Sequence, residues 1–313
     1  MIPGSVGAET KAMEPEPMNV DCPIIDIHAH VSNPSQLAWI PDWIRMDEEA
    51  MKRDQGLTGI NCSFISDSSL YPKFFFENHL LSLCQADKSL RMWASYITWS
   101  GLYPNTGDPK GYLESALKNE NVVGAKVDLI SGVGSRVCCE IVNKSLGEDP
   151  AVTFDIVRDG DPLFEICRAA GKPLMCHADF SSLSNRSERI IEMANRHPGV
   201  NVVLAHIGLG LNFTHFAPAD HYNELLRARD ATNRNVYVDT SMYSLGYSGQ
   251  VEMLAQELGS DRMLFGTDSP AKSAAAWVGR IRDAEMDDEH KRNIFHRTAE
   301  CLFRLNEEER KRG

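Results

Sequence analysis

From residue 23 onward the chain is a succession of eight short apolar runs, each followed by a stretch with helical spacing. The runs are Pro23–His30, Gly59–Ser66, Arg91–Trp99, Val122–Leu129, Pro173–Asp179, Val200–Gly208, Asn235–Met242 and Met263–Pro270. Most lack polar alternation in their first half, the pattern of parallel strands buried on both faces. Between them, Asp161-Pro162 opens a helix with a carboxylate able to cap and a proline in the first turn. Leu163, Ile166, Cys167 and Ala170 share one face of it, and Gly171 stops it. Val251, Leu254, Ala255 and Leu258 repeat that spacing before Gly259. A last helix after Asp287 carries Ile294, Phe295, Thr298, Cys301, Leu302 and Leu305 on one broad face. Eight such alternations predict a closed (β/α)8 TIM barrel, one domain over residues 21–313, with residues 1–20 a poorly ordered tail. A length of 313 residues suits a single barrel. An open doubly wound sheet is the rival fold, but no G-x-G-x-x-G follows the first strand. Two long segments, Ser131–Asp161 and Gly208–Arg234, follow strands four and six, where barrel loops form the catalytic end.

The formal net charge of −12 argues against a nucleic-acid partner and leaves room for a small anionic substrate at a locally positive site. No apolar run reaches membrane-spanning length, and the first twenty residues lack the apolar stretch of a signal peptide. The eight cysteines form no C-x-x-C pair and several lie in apolar runs, as reduced thiols in a cytosolic protein do. Cys138-Cys139 is only a weak redox signal. The expectation is a cytoplasmic protein acting on a small molecule, with no membrane partner.

The ionisable residues fall where those strands end. Strand one ends in His28 and His30, strand five in His177, strand six in His206 and strand eight in Asp268, while Lys126 lies in strand four. In a barrel these ends converge on one mouth. His28 and His30 are two apart and share a side of their strand, about 7 Å apart along it, so both can reach one ion. By the same alternation His177 shares a face with Met175 and not Cys176, His206 with Leu204 and Val202, and Asp268 with Gly266 and Leu264. Imidazole and carboxylate together suit zinc, manganese or iron. A bound cation polarises a substrate carbonyl and lowers the pKa of a bound water. A single histidine or aspartate at a strand end is usually a structural hydrogen-bonder, but the coincidence of five at one mouth favours a metal site. Weaker substrate-binding candidates are Trp39, with Trp43 and Arg45, as pocket-lining residues after strand one, and Arg136 and Arg186 as bidentate grips on an anion. His215 and His221, in the loop after strand six, read as surface residues rather than a lid element, and His79 and His197 as non-functional.

The segments D-I-H-A-H (26–30), G-A-K-V-D (124–128), M-C-H-A-D (175–179), L-A-H-I-G (204–208) and F-G-T-D-S-P (265–270) together resemble the amidohydrolase superfamily. Within it the chain is most similar to the amidohydrolase-related (amidohydrolase 2) branch, which includes decarboxylases of aminocarboxymuconate semialdehyde and of resorcylate type. The resemblance spans about residues 22 to 305, and Gly259 to Asp268 is especially similar to that branch's approach to strand eight. It implies a distorted (β/α)8 barrel with a metal at its mouth. It implies His28, His30, His177 and Asp268 as ligands, His206 as an acid/base or polarising residue, and Asp268 also as proton acceptor. Relatives are often dimers or larger, so a homo-oligomer is possible. The chain departs from the branch at His296-Arg297-Thr298-Ala299, where a glycine-asparagine-alanine stretch is common. In two-metal members a carboxylated strand-four lysine bridges the ions, which would make His206 a second-metal ligand. Lys126 either plays that part or stays an amine that binds a substrate carboxylate or pairs with Asp128, and the branch resemblance favours one ion. The leading expectation is a metal-dependent hydrolase of an amide, ester or lactone. The alternative is non-oxidative decarboxylation of an aromatic or muconate-type acid, and the remote one a barrel that only binds a ligand.

Overall fold

The computed structural model describes residues 21–31, 47–66, 73–96, 109–127, 156–177, 187–206, 226–241 and 248–305. Eight parallel strands occupy one sheet in chain order: β1 (Ile25–His30), β2 (Cys62–Ser66), β3 (Leu90–Tyr96), β4 (Val122–Val127), β5 (Leu174–His177), β6 (Val202–Ala205), β7 (Val236–Asp239) and β8 (Met263–Leu264). All eight lie inside or within a residue of the apolar runs that predict them. The two edges are joined by backbone bonds from Ile27 N to Phe265 O (2.9 Å), Asp268 N to His28 O (2.7 Å) and His30 N to Ser269 O (2.7 Å). That seam makes a (β/α)8 barrel and rules out the open doubly wound sheet. Among the described residues no helix is long and apolar enough to cross a membrane.

The helices between strands include α1 (Glu48–Thr58), α2 (Lys73–Ala86), α3 (Pro109–Ala116), α4 (Ile156–Asp159), α5 (Asp161–Ala170), α6 (Ser187–Arg196), α7 (Gln250–Leu258) and α8 (Ala274–Arg282). Their boundaries follow local chemistry. Asp47 caps α1 by accepting from Ala50 N (2.9 Å), and Gly171, at φ 63°, ends α5. The cap of α5 is Gly160 and not Asp161, whose carboxylate instead accepts from His197 Nε2 (2.9 Å). Phe164 and not Ala170 completes the buried face of α5. Val251, Leu254, Ala255 and Leu258 of α7 are buried as expected.

The last helix departs from its expected face. It runs as α9 (Asp288–Arg292), a π turn (Asn293–Arg297) and α10 (Thr298–Leu302). Thr298 N reaches back five residues to Asn293 O, and the carbonyl of Ile294 instead accepts from Phe265 N of the strand-eight segment (2.9 Å). The extra residue rotates the next turn about the helix axis, so Glu300 is buried and Cys301 exposed. Of the other described cysteines, Cys84, Cys167 and Cys176 are buried, and burial pushes the thiols of Cys84 and Cys167 up to about 12. Cys138 and Cys139 lie outside the described residues.

Two apolar layers result. One lies between the sheet and the helices. The other fills the lower barrel with Ile25, Ile27, Phe64, Trp93, Val123, Met175, Val203, Ala205 and Leu264. Phe303, just past α10, plugs that end, edge-on to Phe64 (4.8 Å) and Trp93 (5.5 Å between ring centroids). Trp93 satisfies its indole by donating to Ile27 O (2.8 Å).

Two strands break their side-chain alternation on the way up. In β1, Asp26 pairs with Ser63 and Ala29 with Ile65, so three residues advance against two. This bulge turns Ile27 and His28 in succession toward the axis. In β4, Met92 faces Val122 but Trp93 faces Gly124, and the shift brings Lys126 inward above Val123. A Cβ on Gly124 would lie 2.7 Å from the Trp93 ring and against Pro173 O, so only glycine fits. Bulges of this kind re-aim side chains near functional sites.

Candidate metal centre

The bulge in β1 delivers His28 and His30 to one wall of the mouth, with ring centroids 5.2 Å apart. Asp268 arrives from beyond β8 on a backbone at φ 60°, left-handed and costly for a residue with a Cβ. Its Oδ1 lies 2.9 Å from His30 Nε2 and 3.6 Å from His28 Nε2. Donors sharing one tetrahedral ion at roughly 2.1 Å stand about 3.4 Å from one another. The two nitrogens and the oxygen therefore fit a divalent cation in both spacing and chemistry.

His28 is held from behind. Its Nδ1 donates to Asp239 Oδ2 at 2.6 Å, which leaves Nε2 as the lone-pair nitrogen. Asp239 ends β7 and is absent from the sequence-based candidates, although Val236-Tyr237-Val238 leads into it as apolar runs lead into the histidines. Ser241 was missed as well, and its hydroxyl donates to Asp239 Oδ1 (2.7 Å). A Cβ on Gly266 would come within 3.0 Å of the His28 Cβ and 3.3 Å of the Asp239 side chain, so the glycine keeps that approach open.

His206 reaches the mouth differently from the expectation. Val202 and Leu204 face the helices, and Val203 and Ala205 face the barrel. Simple alternation would send His206 outward, and a left-handed backbone at φ 56° turns it in instead. Its ring then lies 5.0 Å from His28 and edge-on to His177 at 4.7 Å. Met175 faces the axis and Cys176 the helices, as alternation predicts, so His177 belongs to the same mouth. His177 stands outside the cluster of His28, His30 and Asp268.

Lys126 is buried beneath the rings, donating to Ser66 Oγ (3.0 Å) and facing His28 Nε2 at 3.1 Å. Ser66 Oγ also lies 3.2 Å from His30 Nδ1. Lys272, which the sequence did not single out, sits at the lip with Nζ 2.7 Å from Asp268 Oδ2 and 3.0 Å from Ser241 O. Trp39, Trp43, Arg45, Asp128, Arg136, Arg186, His215 and His221 lie outside the described residues. His197 is structural, stacked on Phe164 at 4.7 Å, and His79 is exposed on α2.

These surroundings set the charges. Burial, then Lys126, lowers His28 to about 4 against the pull of Asp239. Burial, then Lys272, takes His206 well below the ordinary imidazole value, so both rings are neutral at pH 7. Burial opposes ionisation of Asp268, but Lys272 and the His30 hydrogen bond outweigh it and hold the carboxyl well below its ordinary range. Asp239 is likewise lowered, with His28 outweighing burial. Behind the mouth, burial raises Asp26 to about 7, although it accepts from Thr267 Oγ1 (2.6 Å), Thr267 N and His28 N.

A family model described as Amidohydrolase matches residues 25–305. No curated protein matches the sequence. Among solved structures, 2,6-dihydroxybenzoate decarboxylase from Rhizobium is similar with a TM-score of 0.66 at 13% identity, over 91% of this chain and 99% of that one. A dihydroxybenzoic acid decarboxylase from a Polaromonas species, with bound manganese and the inhibitor 2-nitroresorcinol, gives 0.65 at 15% over 92% and 99%. Amidohydrolase 2 from Bifidobacterium longum subsp. infantis gives 0.57 at 13% over 91% and 100%. At these identities the likeness shows the fold alone.

Proposed function

We propose, since this chain belongs to the amidohydrolase family, that it is a metal-dependent carboxy-lyase that removes carbon dioxide non-oxidatively from a small aromatic or muconate-type acid. The observation that carries this is the charge at the mouth. Among the described residues, Lys126 and Lys272 balance the ionised Asp239 and Asp268 beside the neutral rings of His28 and His206, so a divalent ion would leave this part of the mouth positive. A positive pocket in a chain of net charge −12 selects an anionic substrate. Solved structures of similar fold bear the names of aromatic-acid decarboxylases, and the one from Polaromonas holds manganese, which supports the same choice. Hydrolysis, the leading expectation from sequence, requires no such cation excess.

His28, His30 and Asp268 would hold the ion, and manganese or zinc suits that set; His177, which the resemblance implies as a ligand, faces the same mouth outside that cluster. When bound, the ion supplies Lewis acidity toward substrate oxygens. The carbon–carbon bond to the carboxylate breaks, its electron pair stays on the substrate carbon, and that carbon takes one proton, so no oxidant or reductant is needed. Among the described residues at the mouth, His206 and Asp268 are assigned to carry that proton. Lys272, 9% exposed, lies on the solvent side, where an incoming carboxylate passes, whereas Lys126 is sealed below at 1%.

The test is a panel of hydroxybenzoic and muconic acids, esters and lactones offered to manganese- or zinc-loaded protein. Carbon dioxide from an acid, lost in Asp268→Asn, is the expected result. Ester or lactone cleavage with no carbon dioxide from any acid overturns the proposal.

A further inference from the structure

Four hydrogen-bond donors converge on the Asp239 carboxylate. Oδ2 takes His28 Nδ1 (2.6 Å), and Oδ1 takes His206 N (2.8 Å), Ser241 N (3.1 Å) and Ser241 Oγ (2.7 Å). Only a carboxylate accepts on both oxygens, and an amide at this position would press its own hydrogens against donors. Because the Ser241 hydroxyl spends its hydrogen on Asp239, it faces the two rings with lone pairs, 3.1 Å from His28 Nδ1 and 3.0 Å from His206 Nδ1. The Ser241 carbonyl, which can only accept, lies 3.1 Å from His206 Nδ1. Each ring therefore has only acceptors at Nδ1. On the opposite side of His28, Lys126 points a donor at Nε2 (3.1 Å), which agrees. The whole group is buried, so water does not substitute for a lost partner.

We propose that Asp239 and Ser241 are positioning residues that lock His28 and His206 in one tautomer, with hydrogen on Nδ1 and the lone pair on Nε2. One carboxylate thereby sets both the ring that would hold the ion and the ring that would move the proton. Asp239 also bonds the backbone of His206 where it turns left-handed, so the same group fixes that ring's position and its polarity. The function of the two Nε2 atoms rests on the proposed metal site, but the tautomers do not.

The decisive measurement is nitrogen-15 NMR of histidine-labelled, metal-free protein, with signals assigned by their loss in His28→Gln and His206→Gln. Wild type should show hydrogen on Nδ1 of both rings. In Asp239→Asn, His28 should lose its single tautomer, and zinc affinity, read by chelator competition, should fall roughly 10–100-fold. Ser241→Ala should move the His206 signals while zinc affinity changes by no more than about threefold, and Ser241→Thr should restore them. Hydrogen on Nε2 of either ring in wild type overturns the proposal. So does an Asp239→Asn protein with unchanged tautomers and zinc affinity, even if it melts earlier. If that variant does not fold, the wild-type tautomers and the serine pair decide. Correct tautomers without carbon dioxide release would overturn only the carboxy-lyase assignment.

Discussion

The lower barrel and its mouth are built from the same strands, a few residues apart, and are held by different forces. Below, Ile27, Phe64, Trp93, Met175 and Leu264 fill the interior by packing, and Trp93 buries its one polar atom with a partner. Above, His28, Lys126, His206 and Asp239 are as deeply buried but are joined, with Ser241 and Ser66, by polar contacts. The change occurs in one residue step in β1, from Ile27 to His28, and between Val123 and Lys126 in β4, at the two bulges. A packed floor tolerates small losses of shape, whereas a polar network at the mouth tolerates no missing partner. Stability should therefore be concentrated below and function above.

Substitutions on each side should break or sharpen that division. Asp268→Asn should lower turnover on the order of 10³-fold, because it removes a metal donor and a proton carrier together, while the melting temperature stays close to wild type. A large fall in melting temperature would show that the mouth also holds the fold. Trp93→Ala should do the reverse, costing about 3–5 kcal/mol in urea unfolding, with zinc stoichiometry unchanged in whatever remains folded. The glycines give a finer contrast. Gly124→Ala presses on Trp93 and Pro173 and should cost about 1–3 kcal/mol. Gly266→Ala presses on His28 and Asp239 and should instead weaken zinc binding, read by chelator competition, more than it lowers stability.

The smallest effect lies outside both regions. Glu252 on α7 accepts from Arg280 Nη2 at 2.7 Å and from Glu285 N at 3.0 Å. These bonds outweigh burial and hold its carboxyl at about 2. A depressed carboxyl stabilises the folded state above its ordinary value of 4.5 and loses that contribution as pH falls toward 2. Glu252→Gln should cost about 1 kcal/mol near neutrality, flatten the acid limb of stability in that window, and leave turnover unchanged.

The eight strands were legible because each is an apolar run of strand length, and the two β1 histidines because an ionisable residue at the end of such a run is expensive to bury alone. The same signal marks Asp239, but a single aspartate before Thr240-Ser241 also reads as a turn, and its partner His28 lies 211 residues away. The inward aim of His206 was legible as a position but not as a mechanism. Period-two alternation places it with Leu204, and only a left-handed backbone corrects this. The exchange of Glu300 for Cys301 in the core has a comparable origin, since a π turn shifts every later residue off the helical period. Neither backbone departure has a residue signature of its own. Lys272 falls in a polar stretch with no period to interrupt, so only three-dimensional proximity reveals it.

The seam between β1 and the strand-eight segment also governs how the molecule folds. Ile27 bonds Phe265, and Phe265 bonds Ile294, so the barrel's closing contacts link the beginning of the described chain to its last helix. Contacts this distant in sequence raise contact order and slow folding, because a large loop is closed before it is rewarded. During synthesis the first seven strands emerge before the turn that receives Phe265. The edge of β1 therefore has no partner for its seam bonds until the strand-eight segment has left the ribosome, and His28 and Asp268 cannot meet before then.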